Sequence, residues 1–190
     1  MLNIIGGRKK RLKLEVPISG VRPTSSKKRE SIFSILENIA FKKNEDAYKN
    51  KYYIDLFAGS GSLGLEAISR GVKFCYFYEK NNNVVSILEK NCLKVCDKKR
   101  FQIVNHDINT HSFQEINYQI SVVFIDPPYK FSFFKKILDN LLKNKFVTNN
   151  TIFIIESNID NVINYSPSIK IFDERKYGKT KITFLNKNTI

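Results

Sequence analysis

The sequence predicts an α/β protein built on a mostly parallel, doubly wound sheet, and three observations predict it. Five short runs dense in β-branched and aromatic residues recur beyond Lys51, helical or mixed segments separate them, and the first run ends in a glycine-rich turn that opens a helix. Runs of that composition suit strands buried on both faces, and alternation with helices is how such strands come to lie parallel. At 190 residues and 42% hydrophobic content, the chain can fill one sizeable core but not two.

In chain order, Leu12, Leu14 and Val16 alternate with Lys13 and Glu15, which predicts a short strand pairing with Leu2 to Ile5 across Gly6-Gly7. Pro17 and Pro23 bound an irregular loop. Ser25 or Ser26 can cap a helix that starts near Lys27, where Ile32, Phe33, Ile35, Leu36 and Ile39 form one apolar face. That face should dock on the domain that follows, and the polar tract Lys42 to Lys51 reads as the linker. Residues 1–50 are thus expected to be a basic hairpin-and-helix extension packed on a core domain of residues 51–190. Within the core domain, strands are predicted at Tyr52–Phe57, Phe74–Glu79, Phe101–His106, Ile120–Asp126 and Ile152–Glu156, and helices at Ser62–Arg70, Asn82–Val95 and Phe133–Lys143. Ile169–Phe172 and Lys181–Leu185 flank a hairpin turn at Lys176-Tyr177-Gly178-Lys179, so the sheet should close with an antiparallel strand.

The formal charge of +14 points to a polyanionic partner, because clustered cations release the counterions condensed on phosphates. The densest basic stretch is Arg8 to Arg29, although Lys, Asn and Ile are abundant throughout and part of the charge can reflect base composition. Cys75, Cys92 and Cys96 form no Cys-x-x-Cys pair, and His106 and His111 complete no ligand set; packing thiols, no metal and a reduced cytoplasmic setting are expected. No run of about 18 apolar residues exists, so no membrane span is expected.

Two segments carry chemistry. In Asp55-Leu56-Phe57-Ala58-Gly59-Ser60-Gly61-Ser62-Leu63-Gly64, Gly59 and Gly61 remove side chains where the backbone must turn or approach a ligand, and Gly64 lets the helix sit close to the sheet. Glu79 ends the next strand at the separation expected of a carboxylate that grips ribose hydroxyls, and Asp107 follows the third strand in the same relative place. Asp55 is a poor neighbour for a pyrophosphate and a good one for a cation, which favours S-adenosylmethionine over a nicotinamide dinucleotide. The second segment, Asp126-Pro127-Pro128-Tyr129, closes an apolar strand. Its prolines stiffen the turn, Asp126 and the Pro127 carbonyl can accept from an amine, and Tyr129 can stack on a planar base.

Together with Ile4-Ile5-Gly6-Gly7, Lys13-Leu14, Arg22-Pro23-Thr24, Arg29-Glu30-Ser31-Ile32-Phe33, Leu65-Glu66-Ala67 and Glu156-Ser157, these segments resemble the RsmD-type bacterial methyltransferases that modify the exocyclic N2 amine of a guanine in 16S ribosomal RNA. The resemblance implies a Rossmann-like class I methyltransferase sheet of seven strands, the last antiparallel, with an N-terminal extension. It implies that Asp55, Gly59 and Gly61 border the methionine part of S-adenosylmethionine, that Phe57 also belongs to the cofactor site, that Glu79 holds the ribose, and that Asp107 with Ile108 meets the adenine. Asp126, Pro127, Pro128 and Tyr129 would carry the chemistry, and Arg8, Arg11, Arg22, Thr24 and Arg29 would contact RNA. A monomer acting on 16S ribosomal RNA or an assembling small subunit is expected, with no membrane partner. The sequence departs from the family pattern at Lys10 and, loosely, beyond Glu156. The same Asp-Pro-Pro-Tyr chemistry would serve a DNA adenine or cytosine amino methyltransferase, for which the chain lacks room for a large target-recognition domain. An inert RNA-binding module on the same fold is a third possibility, against which the acids Asp55, Glu79 and Asp126 speak.

Overall fold

The computed structural model describes residues 2–17, 25–108, 113, 116–128 and 133–188. Chain order runs β1 (Leu2–Asn3), β2 (Lys13–Leu14), α1 (Ser26–Lys42), β3 (Tyr52–Asp55), α2 (Ser62–Arg70), β4 (Phe74–Tyr78), α3 (Asn82–Val95), a 3-10 turn (Lys98–Arg100), β5 (Phe101–Val104), β6 (Ile120–Ile125), α4 (Phe134–Leu142), β7 (Val147–Asn158), β8 (Ile169–Tyr177) and β9 (Thr180–Lys187). Strands β3 to β9 form one sheet in the order β5-β4-β3-β6-β7-β9-β8. The first five in that order pair in parallel, and β9 slots antiparallel between β7 and β8. This is the seven-stranded sheet that the resemblance implies. Gly178, with φ +57°, opens the two-residue loop that joins β8 to β9.

Helix termini follow local chemistry closely. Gly71 ends α2 with φ +122°, and the Asn81 side chain caps α3 by accepting from the amides of Asn83 and Val84. By contrast, β3, β4, β5 and β6 stop one or two residues short of their predicted ends. The residues so excluded include Glu79 and Asp126, which lie where the backbone leaves the ladder and turns over the edge of the sheet.

Each face of the sheet carries its own core. On one side Tyr53, Phe77, Phe124 and Ile154 pack with Ile32, Phe33 and Leu36 of α1 and with Leu65 and Leu88 of α2 and α3. On the other, Ile54, Val123, Phe153 and Ile155 meet Phe134, Ile137, Leu138 and Leu141 of α4. Gly64 is required on the first side, because a Cβ there would lie 2.3 Å from the Phe77 ring. Cys75 and Cys92 are buried in the same layer, where burial pushes both thiols up.

The first fifty residues share this core. Helix α1 is capped by Ser25, whose hydroxyl accepts from the Lys28 amide, and Phe33 packs edge-on against Phe124 at 5.9 Å between ring centroids. Its first turns reach the carboxyl edge of the sheet, where Lys28 pairs with Glu156 and Ser31 meets the Tyr177 hydroxyl. Farther along, Glu37 accepts from Arg70 (2.8 Å) and from the Tyr48 hydroxyl (2.6 Å). The small β1–β2 sheet lies at that lower end. The Arg8 amide donates to the Ser69 carbonyl (2.8 Å) and the Lys9 amide to the Ser69 hydroxyl (2.9 Å). A Cβ at Gly7 (φ +74°) would come within 2.0 Å of the Ser69 carbonyl oxygen, and one at Gly6 within 2.4 Å of the Arg70 guanidinium. Gly6-Gly7 is therefore needed for contact with the end of α2 as well as for turning the chain.

Candidate active site

The strand order reverses its direction of growth at β3, which has β4 on one side and β6 on the other. A crevice opens at the carboxyl ends of strands at such a switch point, because their connections leave in opposite directions. Here it is a cleft of about 1070 Å³. A typical single-ligand pocket holds roughly 300–1,000 Å³, so this one can admit a nucleoside cofactor and part of a second molecule.

Asp55 ends β3, lines the cleft and is 2% exposed, its Oδ2 accepting from the Gly64 amide at 3.0 Å. Burial pushes its carboxyl up to about 7, against a lowering by the Gly64 N–H and with a further raise from the Glu79 charge. No cation among the described residues pairs with it. A buried carboxylate of this kind suits a ligand that brings its own positive charge. Glu79 ties the glycine turn to β4: Oε2 accepts from the Gly59 amide (3.0 Å) and Oε1 from the Asn81 amide (2.9 Å). A carboxylate has about four acceptor positions, which leaves Glu79 capacity for hydroxyl donors. Phe57, Gly59, Asp107 and Ile108 line the same cleft, with Asp107 also 3.4 Å from the Lys80 ammonium. Asp126, Pro127 and Pro128 line it from the end of β6.

Gly61 does not. It is the N-cap of α2 at φ +85°, and a Cβ there would meet Leu88 and Leu65 in the core, so its part is to turn the backbone. Arg29 is a clearer correction: expected on RNA, it is 1% exposed, and its Nη2 donates to the Asn3 carbonyl at 2.7 Å. Its charge lies near Glu66, which is wholly buried and accepts from Arg70 Nε (2.9 Å) and from the Ile5 amide (2.7 Å). Arg8 and Arg11 are exposed, but on the turn against Ser69. Ser62 lines the cleft and Ser69 lies seven residues down α2, roughly 11 Å away at 1.5 Å per residue, so this basic turn sits toward the opposite edge of the sheet. Arg22, Thr24 and Tyr129 lie outside the described residues.

Part of the cleft wall has no counterpart among the site residues expected from sequence. Ser25, Lys27 and Lys28 at the start of α1, Glu156 to Asn158 at the end of β7, and Tyr177 to Thr180 of the β8–β9 hairpin complete it. The Glu156-Ser157 pair in the motif set was the one signal for them.

The family model described as "Conserved hypothetical protein 95" matches residues 2–186, nearly the full chain. A ribosomal RNA small subunit methyltransferase D of Haemophilus influenzae is 31% identical over 162 residues, covering 84% of this chain and 80% of the relative. The chain belongs to the RsmD-type methyltransferase family. The Escherichia coli K12 relative with the same name is 30% identical over 161 residues, covering 84% of this chain and 76% of its own. Among solved structures, that of yhhF from Escherichia coli superposes with a TM-score of 0.81 at 25% identity, over 98% of this chain and 97% of that one. Membership in the RsmD-type family accounts for the class I methyltransferase sheet and for a cleft at its switch point.

Proposed function

We propose that this chain transfers a methyl group from S-adenosylmethionine to the exocyclic N2 amine of a guanine in small-subunit (16S) ribosomal RNA. One observation carries this reading: the glycine turn after β3 and the Asp126-Pro127-Pro128 segment after β6 open on a single cleft large enough for the cofactor and one base of the substrate. The names of the Haemophilus influenzae and Escherichia coli relatives support small-subunit ribosomal RNA as the substrate.

S-adenosylmethionine, when bound, supplies a sulfonium-activated methyl group. Asp55 would face the positive charge of its methionine portion, the Gly59 backbone would border that portion without a side chain in the way, and Glu79 would accept from the ribose hydroxyls. Asp107 and Ile108 would flank the adenine. Guanine N2 is a weak nucleophile because its lone pair is delocalised into the ring. Hydrogen bonds from the amine to Asp126 and to the Pro127 carbonyl favour a pyramidal nitrogen and turn the lone pair toward the donor. Tyr129, by its motif, would hold the base by stacking. The amine so presented would take the methyl group in line with the departing sulfur, and its surplus proton would pass to the Asp126 carboxylate or to water. Rate enhancement comes from placement and from negative potential where nitrogen turns positive. Residues 1–50 act as an RNA-facing extension that also walls the cleft, and residues 51–190 as the catalytic domain.

The test pairs calorimetry with methylation of ribosomal RNA, small-subunit particles and duplex DNA. Asp126→Ala should lose at least about 10³-fold in turnover, with S-adenosylmethionine affinity held within about twofold. Loss of both together would make Asp126 structural, and transfer to duplex DNA in preference to ribosomal RNA would overturn the substrate.

A further inference from the structure

Strands β6 and β7 run parallel, and Ile125 pairs with Ile155 as the last rung of their ladder. The next residues along the two strands are Asp126 and Glu156. Neighbouring strands lie about 4.8 Å apart and side chains alternate between faces, so these two carboxylates follow Phe124 and Ile154 on the face covered by α1 and α2. Both line the cleft.

Glu156 is an unusual wall residue. One oxygen, Oε1, is paired with the Lys28 ammonium, and the side chain is only 12% exposed. The other, Oε2, is buried and accepts from no donor among the described residues; the neighbouring Ser157 hydroxyl is likewise buried and unbonded. A buried carboxylate oxygen without a donor is costly and rare. The wall beside Asp126 is therefore short of one hydrogen-bond donor, and a base entering the cleft can supply it once the carboxylate turns about its Lys28 anchor to bring Oε2 to the surface.

This step rests on the guanine reading above. Guanine carries two kinds of donor side by side on its Watson–Crick edge, the N2 amine and N1–H, and enzymes that take a base into a pocket read that edge. With the amine at Asp126, the adjacent N1–H falls to the adjacent carboxylate. We propose that Glu156, anchored by Lys28, is the specificity-determining residue that accepts from guanine N1–H. Adenine has a bare acceptor at N1, which a carboxylate repels. 2-Aminopurine is the informative analogue, because it keeps the reactive 2-amine but its N1 also lacks hydrogen. A site built to accept a donor rejects an analogue without it far more strongly than shape alone would.

The experiment uses the full chain and ribosomal RNA joined by ligation so that the mapped target is either guanine or 2-aminopurine. The wild type should prefer guanine by at least about 10²-fold in kcat/KM. Glu156→Gln, whose amide can donate to a bare N1, should narrow that preference to about tenfold or reverse it. Lys28→Met should lower activity on both RNAs while keeping the preference. Equal wild-type rates on the two RNAs overturn the proposal without any variant, and so does a Glu156→Gln protein that slows both equally, which would make Glu156 only an anchor for α1. A wild type that leaves guanine unmethylated overturns the guanine reading itself, and this proposal with it.

Discussion

At the carboxyl edge of the central sheet, Asp55 and Glu79 take their hydrogen bonds, among the described residues, from backbone amides alone, at Gly64, Gly59 and Asn81. Toward the amino edge, Glu66 and Glu37 both give an oxygen to Arg70, whose guanidinium also lies 4.8 Å over the Phe33 ring. The two most buried of these acids, Asp55 and Glu66, thus meet different fates. Where the charge is answered by an arginine, the acid joins elements of the fold; where amides alone answer it, negative potential is left facing a cleft, ready for a cationic ligand. The same division sorts the basic residues. Lys28 helps build the cleft wall, Arg29 one position later is consumed inside the protein, and Arg8 and Arg11 stay exposed at the far end.

This contrast can be broken by experiment, most strongly at Asp126, whose removal should abolish turnover as described. Next in size, Arg29→Ala should destabilise the fold by about 3 kcal/mol, since it removes a buried charge from beside Glu66 and the bond to the Asn3 carbonyl. Chemical denaturation would measure this, and a change under about 1 kcal/mol would return Arg29 to the surface set. A third effect concerns pH. Without ligand, the Asp55 carboxyl is raised from 3.8 to about 7, so its contribution to stability is complete below the lower value and is lost as pH rises through the upper one. A cationic ligand inverts this preference. S-adenosylmethionine affinity should rise about tenfold per pH unit up to neutrality and level off above it, while Asp55→Asn should bind weakly with a flat profile by calorimetry. The smallest effect belongs to the distant turn: Arg8→Ala with Arg11→Ala should leave melting temperature and S-adenosylmethionine affinity unchanged. If the turn touches RNA, the salt dependence of RNA binding should fall by a slope of about 2. An unchanged slope would confine the RNA footprint to the cleft side.

Much of the fold was legible in the sequence because its signals are local. Helices α2 and α3 fall on their predicted limits, Ser62–Arg70 and Asn82–Val95, since Gly71 and Asn81 mark those ends by themselves. Strand β7 is longer than its apolar run. The polar Thr148-Asn149-Asn150 reads as loop, but the Thr151 hydroxyl donates to the Ile120 carbonyl at 2.7 Å and holds that segment beside β6 across a register shift. Strand β8 outlasts its apolar start because it is the sheet edge, where Asp173 to Lys176 can face water. In the site, Asp55, Gly59, Glu79 and Asp126 were legible because strand ends and turns announce themselves. The Lys28–Glu156 pair, separated by 128 residues, leaves no periodic trace, whereas Arg29, three and four residues before Ile32 and Phe33, shares their inward face, a helical spacing that reading the basic residues as one cluster passes over.

Helix α1 has a practical consequence. It spans the molecule as a strut, fixed at its upper end by Lys28 and Ser31 and at its lower end by Glu37. A truncated protein starting at Lys51 would retain Asp55, Glu79 and Asp126 yet open one side of its groove and bare Tyr53 and Phe124 to solvent. Such a fragment should aggregate when expressed, so minimal versions of this enzyme for assay or crystallisation need the strut kept in place.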